Sequence, residues 1–345
     1  MSPTTNPPLP LLATVRGHVG EIVLNRERSI NAITGEMVAL LHTALDDWAD
    51  DPEVQSVVIR GAGARGLCSG ADIRHLAQAS AFDRHDFFSA EYELDLAIAE
   101  YAKPVVTFMD GITMGAGVGV SAHAAFPVVT EQSRVAMPEV RIGLVPDVGA
   151  NWILSRAPGR LGFLLAYTAS DFTGADAIAL GFAKHFVPSD FLEQIVEELS
   201  AGVGEGEAAR ERTAEIISHA EVAAPSSPLL AQQPLIDELF ADPEPLTVIE
   251  RLRAHGGSDT AAIADQIESM CPFSVAVARH SLELAATQTL AEVFATDLRV
   301  CSALTARPDF REGVRAQVID KDRNPVWNPA HLTQVTPESA AAFPA

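Results

Sequence analysis

A glycine-rich segment at 111–126, GITMGAGVGVSAHAAF, limits what the chain can fold into, because its first half offers almost no side chains for a core. Glycine lacks the Cβ that keeps backbone N–H groups away from a ligand, and a helix that begins there points its unsatisfied donors at an incoming oxyanion. The segment MPEVRIGLVPDVGA follows at 137–150 and brings two acids, Glu139 and Asp147. Backbone donors beside carboxylates indicate acyl chemistry.

The chain before residue 181 alternates short apolar runs with stretches of helical periodicity. LLATVRG and VGEIVLN predict the two strands of a hairpin that turns at 17–20, and EMVALLHTALDDWADD predicts a helix. VQSVVIRG and PVVTFMDG predict buried strands. This ββα recurrence predicts an α/β fold, in which ligands usually meet the loops that follow the strands.

The composition changes after residue 181. From 189 to 304 the residues Ala, Glu, Leu and Ile recur at helical spacing, and strand signals disappear. AGVGEGEAARER and EVAAPSSPLLAQQPL predict connections around short helices, whereas FSVAVARHSLELAATQ and LAEVFATDLRVCSAL have apolar positions three and four apart and should lie against a core. We therefore expect an α/β catalytic core at 12–200, a helical region at 201–335, and loose termini at 1–11 and 336–345.

The net charge and the cysteine content of the chain disfavour several kinds of partner and site. The 345-residue chain has a formal net charge of −22, which disfavours nucleic acid and anionic membrane surfaces as partners. No apolar run reaches the roughly 18 residues of a membrane span. The three cysteines, Cys68, Cys271 and Cys301, are too scattered for a metal or redox pair. Reduced thiols and the lack of a signal peptide predict a cytoplasmic protein, and we expect no metal site.

A second glycine-rich loop, GAGARGLCSGAD at 61–72, follows a predicted strand and leads into the helical stretch IRHLAQA. It matches no nucleotide-phosphate motif, and alone it would equally be an ordinary turn. Together the two glycine segments can aim two backbone donors at one thioester oxygen, where loss of one donor costs on the order of 3 kcal/mol. The candidate donors are the N–H groups of Ser69 and Ala116.

The two acids of the second segment each follow a proline. Asp147 has an alternative role as the N-cap of a helix that begins at VGANW, whereas Glu139 has no capping alternative. A carboxyl group in an apolar setting has a raised pKa, the condition for general acid–base work near neutral pH.

Four other side chains are weaker candidates. Glu91 lies on a predicted helix and is more often one of that helix's solvated acids, and His123, flanked by alanines, is more often a packed core histidine than a ligand. Ser69 and Ser121 lack the G-x-S-x-G elbow of a serine nucleophile.

Several motifs together resemble the crotonase (enoyl-CoA hydratase/isomerase) superfamily, and within it the branch of 3-hydroxyisobutyryl-CoA hydrolases. The resemblance implies an α/β fold, a spiral of repeated ββα units with a helical C-terminal part. It covers roughly 12–332 and rests on IVLNRERSINAIT at 22–34, where Glu27 replaces the family's proline, on GLCSGADIR at 66–74, on GITMGAGVG and AMPEVRIGLVPDVG, and on the tail DFREGVRAQVIDKDRNPVWNP at 309–329.

The resemblance also implies roles for individual residues. It gives the oxyanion hole to the backbone of Ser69 and Ala116, with alanine at 116 where the family usually has glycine. It makes Glu139 and Asp147 the essential acids and Glu91 a substrate contact, and it places the coenzyme A loops at 25–31 and 69–73. The substrate-binding set is completed by Gly70, Ala71, Asp72, Gly115, Arg26 and Arg28.

One departure from the hydratase pattern bears on the reaction. Hydratases use two glutamates for water, and the first of these positions is Gly119 here, so conjugate water addition should fail. The resemblance then implies hydrolysis of 3-hydroxyisobutyryl-CoA in valine catabolism. The alternatives are enoyl-CoA hydratase or isomerase activity, and a non-catalytic acyl-CoA-binding protein.

Coenzyme A would be part of the substrate, and no cofactor is expected. Its phosphates need a local basic patch in this acidic chain, which Arg26, Arg28, Arg65 and Arg74 can supply, although each is equally an ordinary solvated charge. The resemblance further implies a trimer-type homo-oligomer, with the alternative that the longer helical tail covers that interface.

Overall fold

The computed structural model describes residues 9–343, and its framework is a mostly parallel sheet of strand order β1-β2-β3-β4-β6-β9. A small second sheet has the order β5-β7-β8. Apart from the hairpin of β1 with β2 and the pair β7–β8, neighbouring strands run parallel. The strands are β1 Leu11–Arg16, β2 Val19–Leu24, β3 Ser56–Gly61, β4 Val105–Phe108, β5 Ile112–Met114, β6 Phe126–Val129, β7 Arg134–Ala136, β8 Phe172–Thr173 and β9 His185–Phe186.

Helices cover the sheet and form nearly all of the C-terminal part. The helices of the first half are α1 Gly35–Ala49, α2 Ile73–Gln78, α3 Ala81–Glu100, α4 Ala116–Ala122, α5 Ala150–Leu154, α6 Leu161–Thr168 and α7 Gly174–Leu180. Those that follow are α8 Leu192–Ser200, α9 Gly206–Ala220, α10 Pro228–Leu239, α11 Pro245–His255, α12 Ser258–Ser269, α13 Pro272–Ala285, α14 Leu290–Thr305, α15 Pro308–Val314 and α16 Pro337–Ala341. The predicted α/β pattern with a helical C-terminal part is confirmed.

The two glycine-rich segments lie side by side after β3 and β4. Parallel bridges join Ile33 to Ala71 and Cys68 to Thr113. A Cβ on Gly117, in the first turn of α4, would lie 2.8 Å from the Cβ of Cys68. Only glycine therefore lets the start of α4 approach the 66–72 loop this closely.

One continuous hydrophobic core joins the α/β part to the C-terminal helices, and α3 packs along α14 within it. A second, smaller core lies between the sheet and the pair α8 and α9. The predicted regions 12–200 and 201–335 thus pack as one body around the site. No helix in the described part of the chain is both long enough and apolar enough to cross a membrane.

Several predicted boundaries need correction. AGVGEGEAARER was expected to be a connection, yet most of it belongs to the 15-residue helix α9, whose Thr213 and Ile216 are buried at helical spacing. The many exposed charged residues of α9 made its apolar stripe difficult to recognise in the sequence. EVAAPSSPLLAQQPL was also expected to be a connection, yet its second part, PLLAQQPL, lies entirely in α10, which begins with proline in its first turn. The short strand β9 follows residue 181.

The termini are less loose than expected. Leu11 pairs with Leu24 in the hairpin, and the Asn25 N–H donates to the carbonyl of Pro10. At the other end Ala340 in α16 is buried, and the ring of Phe343 packs edge-on against that of Phe273. Residues 1–8 and 344–345, also predicted to be loose, lie outside the described residues.

Candidate active site

A cavity of about 70 Å³ lies where the two glycine segments meet α3 and the 138–148 segment. It adjoins a cleft of about 1200 Å³, and both are lined by Ser69, Ala71 and Ile73. A small chamber that opens into a large cleft suits a short acyl group on a long carrier. The cavity is further lined by Gly70, Leu76, Phe88, Glu91, Gly115, Ala116, Pro138, Glu139, Ile142, Leu144, Asp147 and Val148.

The backbone donors at this cavity differ in part from those expected. The Ser69 N–H, the predicted donor, already donates to the Ile30 carbonyl at 2.9 Å, and the Ser69 hydroxyl donates to the Ser29 carbonyl at 2.8 Å. The Ser69 amide is thus engaged in holding the loop. This bond removes it as the free donor of an oxyanion hole.

Among the residues of this loop that line the cavity, Ser69, Gly70 and Ala71, the amide of Ala71 is the free one. In the parallel bridge to Ile33 the Gly70 carbonyl and the Asp72 N–H take the hydrogen bonds, so the Ala71 N–H is left without an acceptor among the described residues. The Ala116 N–H is also free within that part of the chain, because Ala116 is the first residue of α4 and has no intrahelical acceptor. Ala71 and Ala116 both line the cavity.

Glu139 opens a 3₁₀ turn, Glu139–Ile142, immediately after Pro138. Its side chain is buried, and its Oε2 has no hydrogen-bond partner among the described residues. Its Oε1 lies 3.1 Å from where a Cβ on Gly115 would be, which places the carboxylate beside the start of α4. Burial, and next the charge of Asp147, raise the pKa of Glu139 well above its usual value.

Asp147 is fixed by two donors from different helices. Its Oδ2 accepts hydrogen bonds from the Tyr92 hydroxyl at 2.6 Å and from the Cys301 thiol at 3.6 Å. Burial raises the pKa of Asp147 to about 6, and the hydrogen bond from Tyr92 opposes that rise. The N-cap of α5 is Gly149, so Asp147 does not cap this helix and its alternative structural role is not observed.

The backbone next to Asp147 is strained. Val148 has a φ of 49°, a left-handed conformation that is rare for a β-branched residue. The Nε2 of His123 lies 2.9 Å from the Val148 carbonyl, and burial lowers the pKa of His123 to about 4, so the neutral ring donates to this oxygen. His123 is thus a packed structural residue, as expected, and it helps to hold the strained turn.

Two buried acids were missed or undervalued in the sequence. The residue pattern alone favoured a solvated helix acid at Glu91, whereas the family resemblance implied a substrate contact; Glu91 is only 2% exposed and lines the cavity. Asp297 on α14 was not singled out, and its carboxylate accepts the Gly149 N–H at 3.0 Å and the Asn151 side-chain amide at 3.1 Å. An acid on the apolar face of LAEVFATDLRVCSAL was the signal for Asp297, because a charge there needs a partner.

The arginines predicted for coenzyme A divide into two groups. Arg26, Arg28 and Arg74 line the large cleft together with Asp72, and Arg26 pairs with Asp72 at 2.9 Å. Arg65 does not line the cleft and donates to the Glu27 carbonyl instead. The basic lining of the cleft therefore comes from three of the four predicted arginines.

Comparison with known proteins agrees with this arrangement. The family model described as enoyl-CoA hydratase/isomerase matches residues 19–343. A Xenopus tropicalis protein named 3-hydroxyisobutyryl-CoA hydrolase, mitochondrial, is 38% identical over 94% of this chain and 86% of its own length. The Homo sapiens protein of the same name is 36% identical over 98% of this chain and 89% of its own length.

Two solved structures share the whole fold. A structure described as a carnitinyl-CoA dehydratase from Mycobacterium thermoresistibile has a TM-score of 0.90 and 38% identity, covering 98% of this chain and 96% of the other. One described as an enoyl-CoA hydratase from Rhodobacter sphaeroides has a TM-score of 0.89 and 34% identity, covering 97% of each chain.

The relatives also correct one expectation. A cytoplasmic location is contradicted by the curated relatives, which are named as mitochondrial proteins. Free, buried cysteines are compatible with any reducing compartment, so they could not decide the location. The fold, the cavity and the match over 19–343 together show that the chain belongs to the enoyl-CoA hydratase/isomerase family, the crotonases.

Proposed function

We propose that the protein hydrolyses 3-hydroxyisobutyryl-CoA to 3-hydroxyisobutyrate and coenzyme A. The observation that carries this proposal is the pair of buried carboxyl groups, Glu139 and Asp147, that line one cavity in a chain with glycine at position 119. The names of the relatives support the same reaction. This substrate would place the protein in valine catabolism.

The substrate fits the two spaces in one orientation. The cleft with Arg26, Arg28 and Arg74 receives the phosphates of coenzyme A, and the small cavity receives the acyl group. The thioester then lies at their boundary beside Ala71. There its carbonyl oxygen can accept hydrogen bonds from the free amides of Ala71 and Ala116, and we propose these as the oxyanion hole.

In this arrangement Glu139 drives attack at the carbonyl carbon. It either attacks directly, to form an anhydride that water then opens, or acts as a base on the attacking water. Its raised pKa makes the ionised carboxylate a stronger base than a free glutamate. Both routes break the C–S bond and stabilise the oxyanion at the two amides, each worth on the order of 3 kcal/mol.

Asp147 has a separate role in the proposal. Its Oδ2 is held by Tyr92, and we propose that its carboxylate orients the 3-hydroxyl of the substrate or the attacking water. Selectivity between acyl groups depends on small differences in packing, because one methyl group is worth only about 1–3 kcal/mol in a pocket. Thiol release from 3-hydroxyisobutyryl-CoA and 3-hydroxypropionyl-CoA, measured as kcat/KM, tests this choice; a higher value for the second would overturn it.

Hydration is the second candidate, because the two solved structures that share the fold are described as a dehydratase and a hydratase. It needs a carboxylate at position 119, and a Cβ on Gly119 would lie 2.2 Å from the Oδ2 of Asp95. Assay of crotonyl-CoA hydration beside thiol release separates the two reactions. A hydration rate that exceeds thiol release would replace the proposed function.

A further inference from the structure

Asp95 fills the space that a side chain at position 119 would occupy. It lies on α3, and a Cβ on Gly119 would be 2.2 Å from its Oδ2 and 2.8 Å from its Cγ. Asp95 is fully buried, and neither of its carboxyl oxygens has a hydrogen-bond partner among the described residues. The carboxyl group of Asp95 thus occupies the space of a Cβ at position 119, but it does not line the cavity.

Asp95 is one helical turn from Glu91, on the same buried face of α3. Glu91 lines the cavity and Asp95 does not, so Glu91 is the member of the pair that a bound substrate could contact. The Oε1 of Glu91 also lacks a partner within the described part of the chain. Two neighbouring buried carboxyl groups without a cation resist the loss of their last proton, so the pair retains one proton at neutral pH.

The groups that face this pair add no positive charge. Asp147 and Glu139 approach Glu91 from the 138–148 segment, and Asp147 also approaches Asp95. The buried thiol of Cys68 faces Glu91 from the 66–72 loop, and it too carries no positive charge. The Tyr92 hydroxyl donates to Asp147. The nearby histidines are bound to carbonyl oxygens, His123 to that of Val148 and His42 to that of Ala90.

We propose that Glu91 and Asp95 share one proton and form the proton store of the site. Glu91 delivers the proton, and Asp95 is a positioning residue that acts through Glu91. The proposal rests on the proposed hydrolysis. Asp147 is a poor donor by comparison, because the hydrogen bond from Tyr92 favours its ionised form. Burial, and next the charge of Asp95, raise the pKa of Glu91 well above its usual value.

During one round of hydrolysis the pair gives up its proton once and takes one proton back. When the Glu139 carboxylate attacks, the C–S bond breaks and the thiolate takes the shared proton, which leaves an anhydride, free coenzyme A thiol and an ionised pair. Water then opens the anhydride to a carboxylic acid product and the Glu139 carboxylate, and the second proton of that water returns to the pair. The product loses its own proton to solvent after release.

The test is Asp95→Asn, which keeps the size of the side chain and removes its charge. Without Asp95 the pKa of Glu91 falls, so the alkaline limb of the kcat profile for thiol release from 3-hydroxyisobutyryl-CoA moves down by about one pH unit. On that limb kcat falls about tenfold, while KM stays within about twofold. Glu93→Gln, which neutralises an exposed acid of the same helix, should leave the profile unchanged.

A purely structural Asp95 would instead give a less stable variant with an unmoved alkaline limb, and this result would overturn the proposal. Infrared spectroscopy of the wild-type protein gives a second test that does not depend on the folding of the variant. A protonated carboxyl band should persist at neutral pH and disappear along the alkaline limb, and its absence at neutral pH would refute the shared proton. Failure of the wild-type protein to release thiol would refute the proposed function instead, and the infrared test would still decide on the pair.

Discussion

The Tyr92 hydroxyl donates a hydrogen bond of 2.6 Å to the Oδ2 of Asp147, inside a fully buried contact between α3 and the turn that follows Pro146. A hydrogen bond from a hydroxyl to a carboxylate fixes the direction of the second oxygen and favours the ionised form. Tyr92 therefore sets both the orientation and the charge of Asp147, although Tyr92 itself does not line the cavity.

Replacement of Tyr92 by phenylalanine should lower kcat about tenfold or more, because a hydrogen bond to a charged group contributes about 1.5–3 kcal/mol. The pKa of Asp147 should rise further in this variant, since the hydrogen bond that opposes the effect of burial is lost. Thiol release measured against pH checks both effects. A loss of thermal stability with unchanged kcat would show that Tyr92 only fills space.

The pH dependence of activity follows from the buried acids. Glu139 must be ionised to act, and burial raises its pKa above the usual 4.5, so the acid limb of kcat/KM should lie well above pH 4.5. The charge of Asp147 adds to this rise. Asp147→Asn should therefore move the acid limb to lower pH even as it reduces kcat, and a limb that stays in place would contradict the coupling.

The same burial predicts how stability changes with pH. The pKa of Asp147 is raised from 3.8 to about 6 on folding, so between these values the folded state binds more protons than the unfolded state. Its contribution to the free energy of unfolding is thus present at low pH and is lost as pH rises toward 6. In urea unfolding across this window, the free energy of unfolding should fall less steeply with pH for Asp147→Asn than for the wild-type protein. An equally steep fall in the two proteins would show that Asp147 does not cause this pH dependence.

The oxyanion hole can be tested at Ala116, because proline is well tolerated at the first position of a helix and has no N–H. Ala116→Pro should reduce kcat about 10²–10³-fold, the usual effect of losing one such donor. Ala116→Gly retains the N–H and serves as the matched control, with kcat expected close to that of the wild-type protein. Equal activity of the two variants would exclude the Ala116 amide from the site.

The sequence predicts those site residues that depend on local chain geometry, and it does not predict those that depend on contacts between distant segments. Glu139 and Asp147 were found because each lies in a short motif after a proline, where local chain geometry suffices. Ser69 was predicted as the donor of its loop, but the amide that remains free is that of Ala71. The bridge to Ile33 decides this, and it is a contact between segments far apart in the chain.

The contribution of α14 could not be predicted for a related reason. Asp297 and Cys301 reach the 147–151 turn only because α3 and α14 pack together, and periodicity shows that a helix has an apolar face without showing what covers it. The role of Asp95 could not be predicted either. The sequence shows that position 119 has no side chain, and only the fold shows that Asp95 fills the space beside it.

Binding of coenzyme A should weaken with added salt, because the chain has a net charge of −22 and attraction depends on the few arginines of the cleft. Arg28→Ala and Arg74→Ala should each raise KM severalfold with little change in kcat. Arg212→Ala, a change on the distant helix α9, is the control for loss of one positive charge. A KM that is insensitive to both salt and these cleft variants would place coenzyme A elsewhere.

The most direct test of the central claim compares two reactions in the wild-type protein and in Glu139→Gln. The wild-type protein should release thiol from 3-hydroxyisobutyryl-CoA and should not hydrate crotonyl-CoA appreciably. In Glu139→Gln the rate of thiol release should be about 10²–10⁴-fold lower, while the variant still binds coenzyme A. Undiminished thiol release by Glu139→Gln, or crotonyl-CoA hydration faster than hydrolysis in the wild-type protein, would contradict a hydrolase centred on Glu139.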